Sequence, residues 1–266
     1  MKRILPLVFV CLVLGSCKDF FQYSPNEVRL EAEDKELNAK NIAKISALTP
    51  KDTFKFIVIG DSQRFYDDLD NFVDHVNREE NVAFVLLNGD ITDFGLNREF
   101  KWISRELKRL TVPYVSVIGN HDMLANGRLV YKEMFGPENF SFTYGANKFV
   151  CLNTNTMEVG HDGSLPDLGW LQSQLAVREN SRNTFVFSHV PPFDLEFDQS
   201  KTKAYENILE GAGNVRLSIH GHQHRFSTSQ SNGNSFKYLV VATIQKKSYA
   251  LITVTGQNFQ IEERFF

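Results

Sequence analysis

Residues 82–93 read VAFVLLNGDITD, an apolar run that stops at Asn88-Gly89 and is followed by two carboxylates. An unbroken apolar run bounded by a turn signal predicts a strand buried on both faces, from Val82 to Leu87. Asp90 comes just after this strand, and Asp93 follows three positions later. Open α/β sheets place their ligands at the carboxyl ends of buried strands, although Asp is also common at ordinary strand-to-turn junctions. Taken alone, the stretch leaves both interpretations open.

The same pattern, a predicted strand followed at once by polar side chains, occurs four more times. Those strands are predicted at residues 54–59, 114–118, 184–187 and 215–219. Helices predicted at 67–77 and 97–110 separate the first three strands of the chain, and Asp61 and Asp90 lie roughly 30 positions apart, about the length of one βαβ unit. Because the crossovers of such units are right-handed, the carboxyl ends of their strands lie along one edge of a parallel sheet.

The rest of the globular part adds strands and one more helix. Residues 139–154 are predicted to form two strands, and residues 166–179 a helix. Residues 226–266 contain strand-like runs separated by turn signals at Asn232-Gly233 and Gly256-Gln257, which predicts an antiparallel meander. We therefore expect one continuous domain from residue 53 to residue 266.

Composition limits the class of protein. The chain has 266 residues, 42% of them hydrophobic, which is enough for one large α/β domain with a sizeable core. A formal net charge of -3 argues against nonspecific nucleic-acid binding and against attachment to an anionic membrane through a basic face. The cysteines, at 11, 17 and 151, suggest no disulfide framework. Cys151 falls in a predicted strand, where we expect a packed core thiol rather than a nucleophile.

The first 17 residues resemble a bacterial export signal. Lys2 and Arg3 precede a short apolar run, which predicts a signal peptide over residues 1–16. The sequence LGSC, ending at Cys17, resembles the lipobox of bacterial lipoproteins; an ordinary signal peptide is the alternative. The resemblance implies lipidation of Cys17 and an extracytoplasmic protein of a Gram-negative bacterium, periplasmic or on the cell surface, that contacts the membrane through its lipid anchor only. Residues 17–52 are then expected to form a polar tether, with helical structure near residues 37–48.

The polar residues at the predicted strand ends are suited to metal binding. Carboxylates, imidazoles and side-chain amides favour borderline and hard divalent cations and do not make a thiolate site. His222 and His224 are two positions apart on an extended segment, so both can point into one pocket. The set offers more ligand atoms than one ion accepts, which favours two ions that share a carboxylate. Its members are Asp61, Gln63, Asp90, Asn120, His121, His189, His222 and His224.

These residues fall in five short blocks that resemble those of the calcineurin-like metallophosphoesterase superfamily. The blocks are Gly60-Asp61-x-Gln63, Gly89-Asp90-x-x-Asp93, Gly119-Asn120-His121-Asp122, Ser188-His189 and Gly221-His222-x-His224. The resemblance implies an α/β fold, a four-layer αββα sandwich of two mixed β-sheets flanked by helices. It also implies two divalent metal ions, with Mn²⁺ expected first and Mg²⁺, Fe or Zn²⁺ as alternatives, and a bridging hydroxide that attacks phosphorus.

The resemblance further assigns a role to each matched position. Asp61, Gln63, Asp90 and His224 would bind the first metal. Asp90, Asn120, His189 and His222 would bind the second, with Asp90 as the bridge. His121 would protonate the leaving oxygen and, with Asn120, contact the substrate; Asp93 would orient His121.

Gln63, in the first block, and Arg64, directly after it, need separate consideration. The block usually reads Asp-x-His in this superfamily, and here its third position is Gln63. An amide oxygen is a neutral, harder and weaker donor than imidazole, so we expect looser binding at the first site and a tilt towards Mn²⁺ or Mg²⁺. Arg64 either contacts the substrate phosphate or is a solvated loop residue.

The expected activity is metal-dependent hydrolysis of a small phosphate ester, a phosphomonoester, a phosphodiester or a nucleotide. A phosphoprotein substrate is disfavoured, because Phe94-Gly95 and Asp122 stand where protein phosphatases carry Arg-Gly and Glu. Nothing in the sequence predicts specific nucleic-acid binding. The alternative is a surface metal- or ligand-binding lipoprotein that keeps the fold with weak or no catalysis, with Gln63 as the first sign of decay.

Overall fold

A computed structural model describes residues 27–178 and 181–266 of the chain. The signal peptide expected at residues 1–16 and the lipidation expected at Cys17 lie outside these ranges and stay predictions. Among the helices of the described residues, none is long and apolar enough to cross a membrane.

The first sheet has five strands in the order β11-β10-β1-β2-β3. Its strands are β1 (Thr53–Ile59), β2 (Val82–Asn88), β3 (Tyr114–Val117), β10 (Ser248–Thr255) and β11 (Asn258–Phe265). β1, β2 and β3 are parallel, whereas β10 runs antiparallel to both β1 and β11. The three predicted βα units are therefore confirmed, and they form one half of a mixed sheet.

The second sheet has six strands in the order β4-β5-β6-β7-β9-β8. Its strands are β4 (Phe140–Tyr144), β5 (Asn147–Cys151), β6 (Asn183–Phe187), β7 (Val215–His220), β8 (Ser227–Gln230) and β9 (Lys237–Val240). The four central strands are parallel, and β4 and β8 close the edges in antiparallel pairs. Cys151 is fully buried in β5, which confirms the core thiol, and burial raises its pKa.

Helices cover the outer face of each sheet and complete four layers. They are α1 (Leu37–Ala47), α2 (Tyr66–Val76), α3 (Asn97–Leu107), α4 (Gly127–Met134), α5 (Leu168–Ala176) and α6 (Gln199–Ala212). One apolar cluster lies between α2, α3, α4 and the first sheet, and another lies between α5, α6 and the second sheet. A third fills the space between the two sheets. The predicted αββα sandwich is confirmed.

Aromatic rings dominate the layer between the sheets. Phe56 on β1 is fully buried and stacks on Phe84 of the same sheet, with ring centroids 5.5 Å apart. Its edges meet Phe149 and Phe185 of the second sheet at centroid distances of 5.5 and 5.3 Å. Offset and edge-to-face contacts of this kind stabilise beyond the area they bury. The two sheets are thus packed into one body whose strand ends are fixed relative to each other.

The segment expected as a tether differs in its second half. Residues 37–47 form α1, as the predicted helical structure there required, but the helix packs into the domain. Ile45 is fully buried in the layer between the sheets. The Asn38 side chain pairs with the backbone of Ser116 on the edge strand β3, donating to its carbonyl at 2.9 Å and accepting from its N–H at 2.8 Å. An amide in this position closes the free edge of the sheet. The irregular spacing of apolar residues hid this helix.

The predicted C-terminal meander is wrong. Both of its hairpins are present, β8–β9 and β10–β11, but they belong to different sheets. β9 pairs in parallel with β7, and the chain then crosses over to place β10 against β1. Turn signals specify a hairpin locally, and they carry no information about which sheet accepts it. Helix α6 was also not predicted.

Phe56 tests the packing between the sheets. We expect Phe56→Ala to lower the free energy of unfolding by about 3–5 kcal/mol, because it removes a ring that has contacts on both sheets and leaves a cavity. Phe265→Ala, at a position that is 65% exposed, serves as the control and should change stability by about 0.5 kcal/mol or less. Urea unfolding followed by circular dichroism measures both; similar losses in the two variants would contradict the packing described.

Candidate metal centre

Five strand ends from both sheets meet at one edge of the sandwich. Asp61 follows β1, Asp90 follows β2 and His189 follows β6; all three side chains are buried. One ligand atom from each lies within 4.8 Å of the others. Asn120 after β3 and His222 after β7 border the same point. Residues that are up to 161 positions apart in the chain are therefore in direct contact.

The backbone bends sharply where these residues leave their strands. Asp61 and Asp90 have φ values of 52° and 53°, and His222 has 68°, all in the left-handed region that is unfavourable for a residue with a side chain. Such strain persists only where the surrounding structure fixes it, and it is common at functional sites. Gly89, at φ 89°, lets the backbone approach His189, because a Cβ there would lie 2.7 Å from the Cγ of the ring.

The contacts of His189 and Asn120 fix which atoms face the centre. Nδ1 of His189 donates to the backbone carbonyl of Asn88 at 2.8 Å, so Nε2 points inward. That Nε2 lies 3.0 Å from Oδ1 of Asn120 and 3.3 Å from Oδ1 of Asp90. Nδ1 of His222 lies 3.1 Å from the same Asn120 oxygen. When His189 is neutral, its inward lone pair faces two oxygen acceptors, so either a proton on Nε2 or a cation among these atoms is needed to offset the repulsion.

The pKa shifts of the buried groups also indicate that positive charge is favoured at this point. Burial alone would lower the pKa of His189, but the carboxylates of Asp90 and Asp61 raise it to about 10. Burial opposes the charge on Asp90, yet His189 and His121 lower the pKa of that carboxyl overall. The protein's own imidazolium thus balances the buried carboxylates when no other positive charge is present. A divalent cation supplies that charge in the same place.

Asp61, Gln63 and His224 form the other side of the centre. Asp61 accepts from the backbone N–H of His222 at 3.2 Å and lies 3.1 Å from Nε2 of His224. Gln63 is buried; its Nε2 donates to Oδ2 of Asp90 at 3.4 Å. Its Oε1 is buried and, among the described residues, has no hydrogen-bond partner. A buried oxygen without a donor is costly, and a cation beside Asp90 would satisfy it. The amide therefore fits a metal site.

Three polar side chains lie at the mouth of the centre: His121, Asp93 and Arg64. Asp93 was expected to orient His121, and the structure shows which of its groups does so. Nδ1 of His121 donates to the backbone carbonyl of Asp93 at 2.8 Å, while the Asp93 carboxylate is 3.9 Å away. That carboxylate is held instead by the guanidinium of Arg64, whose Nε donates to it at 3.1 Å. The carbonyl thus orients His121, and Arg64, although largely exposed, is paired with Asp93 rather than merely solvated.

Asp122 serves the backbone of the loops that carry the ligands. Its buried carboxylate accepts from the N–H groups of Gly119, Ile91 and Thr92 and from the Thr92 hydroxyl, at 2.8 to 3.2 Å. Burial and the charge of Asp90 raise its pKa to about 7. Asp122 therefore has a structural role: it fixes the loops after β2 and β3 relative to each other.

The remaining histidines lie apart from the centre. His220 is buried between the hydroxyls of Ser188 and Ser218, at 3.0 and 2.8 Å, and burial lowers its pKa to about 3. His75 contacts the Tyr249 hydroxyl at 3.2 Å, and His161 is exposed. The structure therefore brings together all eight predicted strand-end residues and leaves these three out.

Sequence reasoning missed Asn88. Its side-chain amide donates to the backbone carbonyls of Ser188 and Ile219, at 3.0 and 3.2 Å. The backbone carbonyl of Asn88 accepts from Nδ1 of His189. One buried residue at the end of β2 thus joins the first sheet to two strand ends of the second. The Asn-Gly pair gave only a turn signal, and that signal hid the second role.

Residues on the loop after β6 were missed as well. Oδ1 of Asp194 and Oε2 of Glu196 lie 3.7 and 3.5 Å from Nε2 of His222, on the side of the ring opposite Asn120. Asp194 is itself held by Gln223 at 2.8 Å. The sequence before this loop offers only Pro191-Pro192, which indicates an extended exit from β6.

Residues 54–226 match the sequence model of the calcineurin-like phosphoesterase family. The chain belongs to this family. The match spans every strand end that contributes to the centre, from Asp61 to His224.

Among curated relatives of this family member, a probable glycerophosphodiester phosphodiesterase from Arcobacter nitrofigilis is 28% identical over 176 residues, which cover 61% of this chain and 64% of the relative. The match thus spans less than two thirds of that relative's length. A probable cyclic nucleotide phosphodiesterase from Coxiella burnetii is 26% identical over 191 residues, covering 68% of this chain and 76% of the relative.

Two solved structures show the fold of the family. A dimetal phosphatase from Danio rerio has a TM-score of 0.66 and 17% identity, and the match covers 82% of this chain and 97% of that one. GAP50, described as the anchor in the inner membrane complex of Plasmodium, has a TM-score of 0.59 and 16% identity, over 81% and 84% of the two chains. At these identities the likeness establishes the architecture alone.

Asn88 tests how the two sheets are joined at the centre. In Asn88→Asp a carboxylate would face the Ser188 and Ile219 carbonyls without a proton to donate. We expect the free energy of unfolding, measured in chelator, to fall by about 3 kcal/mol or more, because a buried charge is left unpaired. Asn258→Asp, an exposed position, should change it by about 0.5 kcal/mol at most. Equal stability of the two variants would refute the bracing role.

Proposed function

We propose that this protein hydrolyses a small phosphate ester with two divalent cations that share Asp90. The observation that carries the proposal is the donor set around this aspartate: two buried carboxylates, imidazole nitrogens and amide oxygens, with one orphaned amide oxygen among them. Such a set in a phosphoesterase fold has the composition that hard and borderline divalent cations require. Mn²⁺ is the ion we expect, because of the oxygen of Gln63.

The residues divide into two ligand groups. Asp61, Gln63, Asp90 and His224 would hold one cation, and Asp90, Asn120, His189 and His222 the other. Cations bound there would lower the pKa of a shared water and neutralise the phosphate oxygens that face them. The chain contributes the orientation: Asn88 fixes the ring of His189 through Nδ1, and Asp61 fixes the backbone of His222. Preorganised donors of this kind need no rearrangement during reaction.

His121 is placed to move a proton at the leaving oxygen. A carbonyl oxygen only accepts, so Nδ1 of His121 carries the proton that bonds to Asp93. Nε2 is then the free position on a partly exposed ring at the mouth of the centre. A protonated Nε2 can donate to the departing alkoxide, and imidazole exchanges protons near neutral pH. The backbone N–H of His121 donates to Asp90 at 3.0 Å, which fixes the distance of the ring from the metal ligands.

The substrate we propose is a phosphodiester or phosphomonoester of a small molecule. The names of the curated relatives, a glycerophosphodiester phosphodiesterase and cyclic nucleotide phosphodiesterases, support a small diester as the first to test. We further propose that the protein acts outside the cytoplasm on a lipid anchor at Cys17; the order of basic, apolar and small residues before Cys17 supports this location.

The second candidate is a binding lipoprotein with weak or no catalysis. One observation favours it: Gln63 replaces the usual imidazole of the first block. Against it, the centre retains both the bridging aspartate and His121 with its hydrogen bond to Asp93.

The enzyme and binding functions make opposite predictions for His121. We expect Mn²⁺-loaded protein to release 4-nitrophenol from 4-nitrophenyl phosphate or its bis ester. His121→Ala should lower kcat by about 10²–10⁴-fold, because it removes the proton donor. Continuous absorbance assays measure both. His161→Ala, an exposed histidine outside the centre, is the matched control and should retain wild-type kcat. Metal binding without any turnover that depends on His121 would favour the binding function.

Gln63 sets the affinity of the first metal site. We expect Gln63→His to bind Mn²⁺ more tightly and to raise the preference for Zn²⁺ over Mn²⁺, because imidazole is a softer and stronger donor than an amide oxygen. Metal content after dialysis against a limiting chelator, measured by mass spectrometry, reads out both changes without an activity assay. Gln257→His, in the exposed turn after β10, controls for adventitious binding. Unchanged metal retention in Gln63→His would remove Gln63 from the ligand set.

A further inference from the structure

Exposed apolar side chains lie on four loops that leave the carboxyl ends of the strands beside the centre. Phe94 is 58% exposed, Leu124 40%, Met157 55% and Leu195 88%. They follow β2, β3, β5 and β6 respectively. We call these four residues the apolar rim. Single exposed apolar residues are ordinary, but a group on the loops of one site marks a surface that is covered during function.

The first half of the apolar rim belongs to the loops of the first sheet. Phe94 is adjacent in sequence to Asp93, and Leu124 follows His121 by three positions. The two loops touch, because a Cβ on Gly95 would overlap the carbonyl of Leu124 and would lie 3.0 Å from the Cα of Gly127. Phe94 and Leu124 therefore stand on the side of the centre where His121 is exposed.

The second half belongs to the loops of the second sheet. The hydroxyl of Thr156, next to Met157, donates to the backbone carbonyl of Glu196 at 2.8 Å, which joins the two loops. The Glu196 carboxylate in turn lies 3.5 Å from Nε2 of His222. Met157 and Leu195 therefore stand on loops that lie beside His222.

Carboxylates accompany the second half of the apolar rim. Glu158 follows Met157, and Asp194 and Glu196 flank Leu195. Glu158 is close enough to Glu196 and Asp90 for their charges, together with burial, to raise its pKa. A substrate with a second phosphate or a carboxylate group on this side would meet like charges. A hydrocarbon chain meets no such cost.

The position of the apolar rim also selects its occupant. A protein seated on both halves would cover the mouth of the centre, where His121 is exposed, and would close the centre to substrate. A hydrocarbon chain attached to the phosphate itself covers the same side chains and brings the phosphate to the centre. The occupant and the substrate are then one molecule.

We propose that the substrate is an amphiphilic phosphate ester, a single phosphate esterified to a hydrocarbon chain that the apolar rim binds. The inference deepens the proposed function and rests on it. Each methylene group buried on binding contributes about 0.8 kcal/mol, which corresponds to an increase in kcat/KM of up to about 4-fold per group.

A chain-length series tests this substrate class. The probes are 4-nitrophenyl phosphodiesters whose second ester group is methyl, butyl or octyl, each used below its micellar concentration with Mn²⁺-loaded protein. We expect kcat/KM to rise about 2- to 4-fold per methylene from methyl to butyl and further to octyl. Leu195→Ser and Phe94→Ser should flatten this rise. Val177→Ser, at a 51% exposed position beyond α5, is the matched control and should keep the full rise.

The outcomes separate this inference from the function on which it rests. Hydrolysis of the methyl ester without a rise towards octyl, or a rise that Leu195→Ser and Phe94→Ser do not alter, overturns the role of the apolar rim while the phosphoesterase function stands. If no ester is hydrolysed, calorimetric titration with octyl and methyl phosphate decides. Tighter binding of octyl phosphate that Leu195→Ser abolishes supports the apolar rim, and equal binding overturns it.

A third outcome concerns membranes. If the protein sediments with phosphatidylglycerol vesicles, the variants do not, and kcat/KM shows no rise with chain length, the apolar rim binds a bilayer surface and the substrate proposal is overturned.

Discussion

The structure depends on holding Asp61, Asp90 and His189 together in a buried place. Carboxylates of this kind are strongly disfavoured away from water unless positive charge is nearby, and the raised pKa of His189 shows how strongly the site attracts it. The glycines, the left-handed residues and the Asp122 hydrogen bonds all serve this one requirement, because each lets a backbone segment approach the others closely. The local strain is tolerated because the strands that carry it are rigid.

That rigidity comes from the packing between the sheets. The candidate metal ligands lie at strand ends of both sheets, so any sliding of one sheet on the other would separate Asp90 from His189. Phe56 and its neighbours fill the interface, and Asn88 links β2 to Ser188 and Ile219 directly at the centre. Sites built on strand ends keep their geometry better than sites built on loops alone.

The sequence predicted most of this arrangement because its signals are local. A buried strand, a sharp exit and a polar side chain occupy fewer than a dozen residues, as in the segment that ends at Asp93, and the crossover rule then brings such ends together. What it did not predict depends on contacts between distant segments. Asn38 on the edge strand, the division of the C-terminal hairpins between two sheets, and the pairing of Arg64 with Asp93 each need a partner that no local pattern identifies.

Charge balance relates the centre to its substrate. The ligand set contains two carboxylates, Asp61 and Asp90, so two divalent cations would leave an excess of positive charge that a phosphate group can offset. Gln63 does not alter this charge balance, because an amide and an imidazole are both neutral ligands. Its effect would be on the strength of its own bond to the first cation. The carboxylates of Asp194 and Glu196 then make the surroundings of His222 unfavourable for further negative charge. With both cations bound, the centre would attract one phosphate and its surroundings would disfavour a second, which is the charge pattern that the proposed ester with an uncharged, apolar alcohol satisfies.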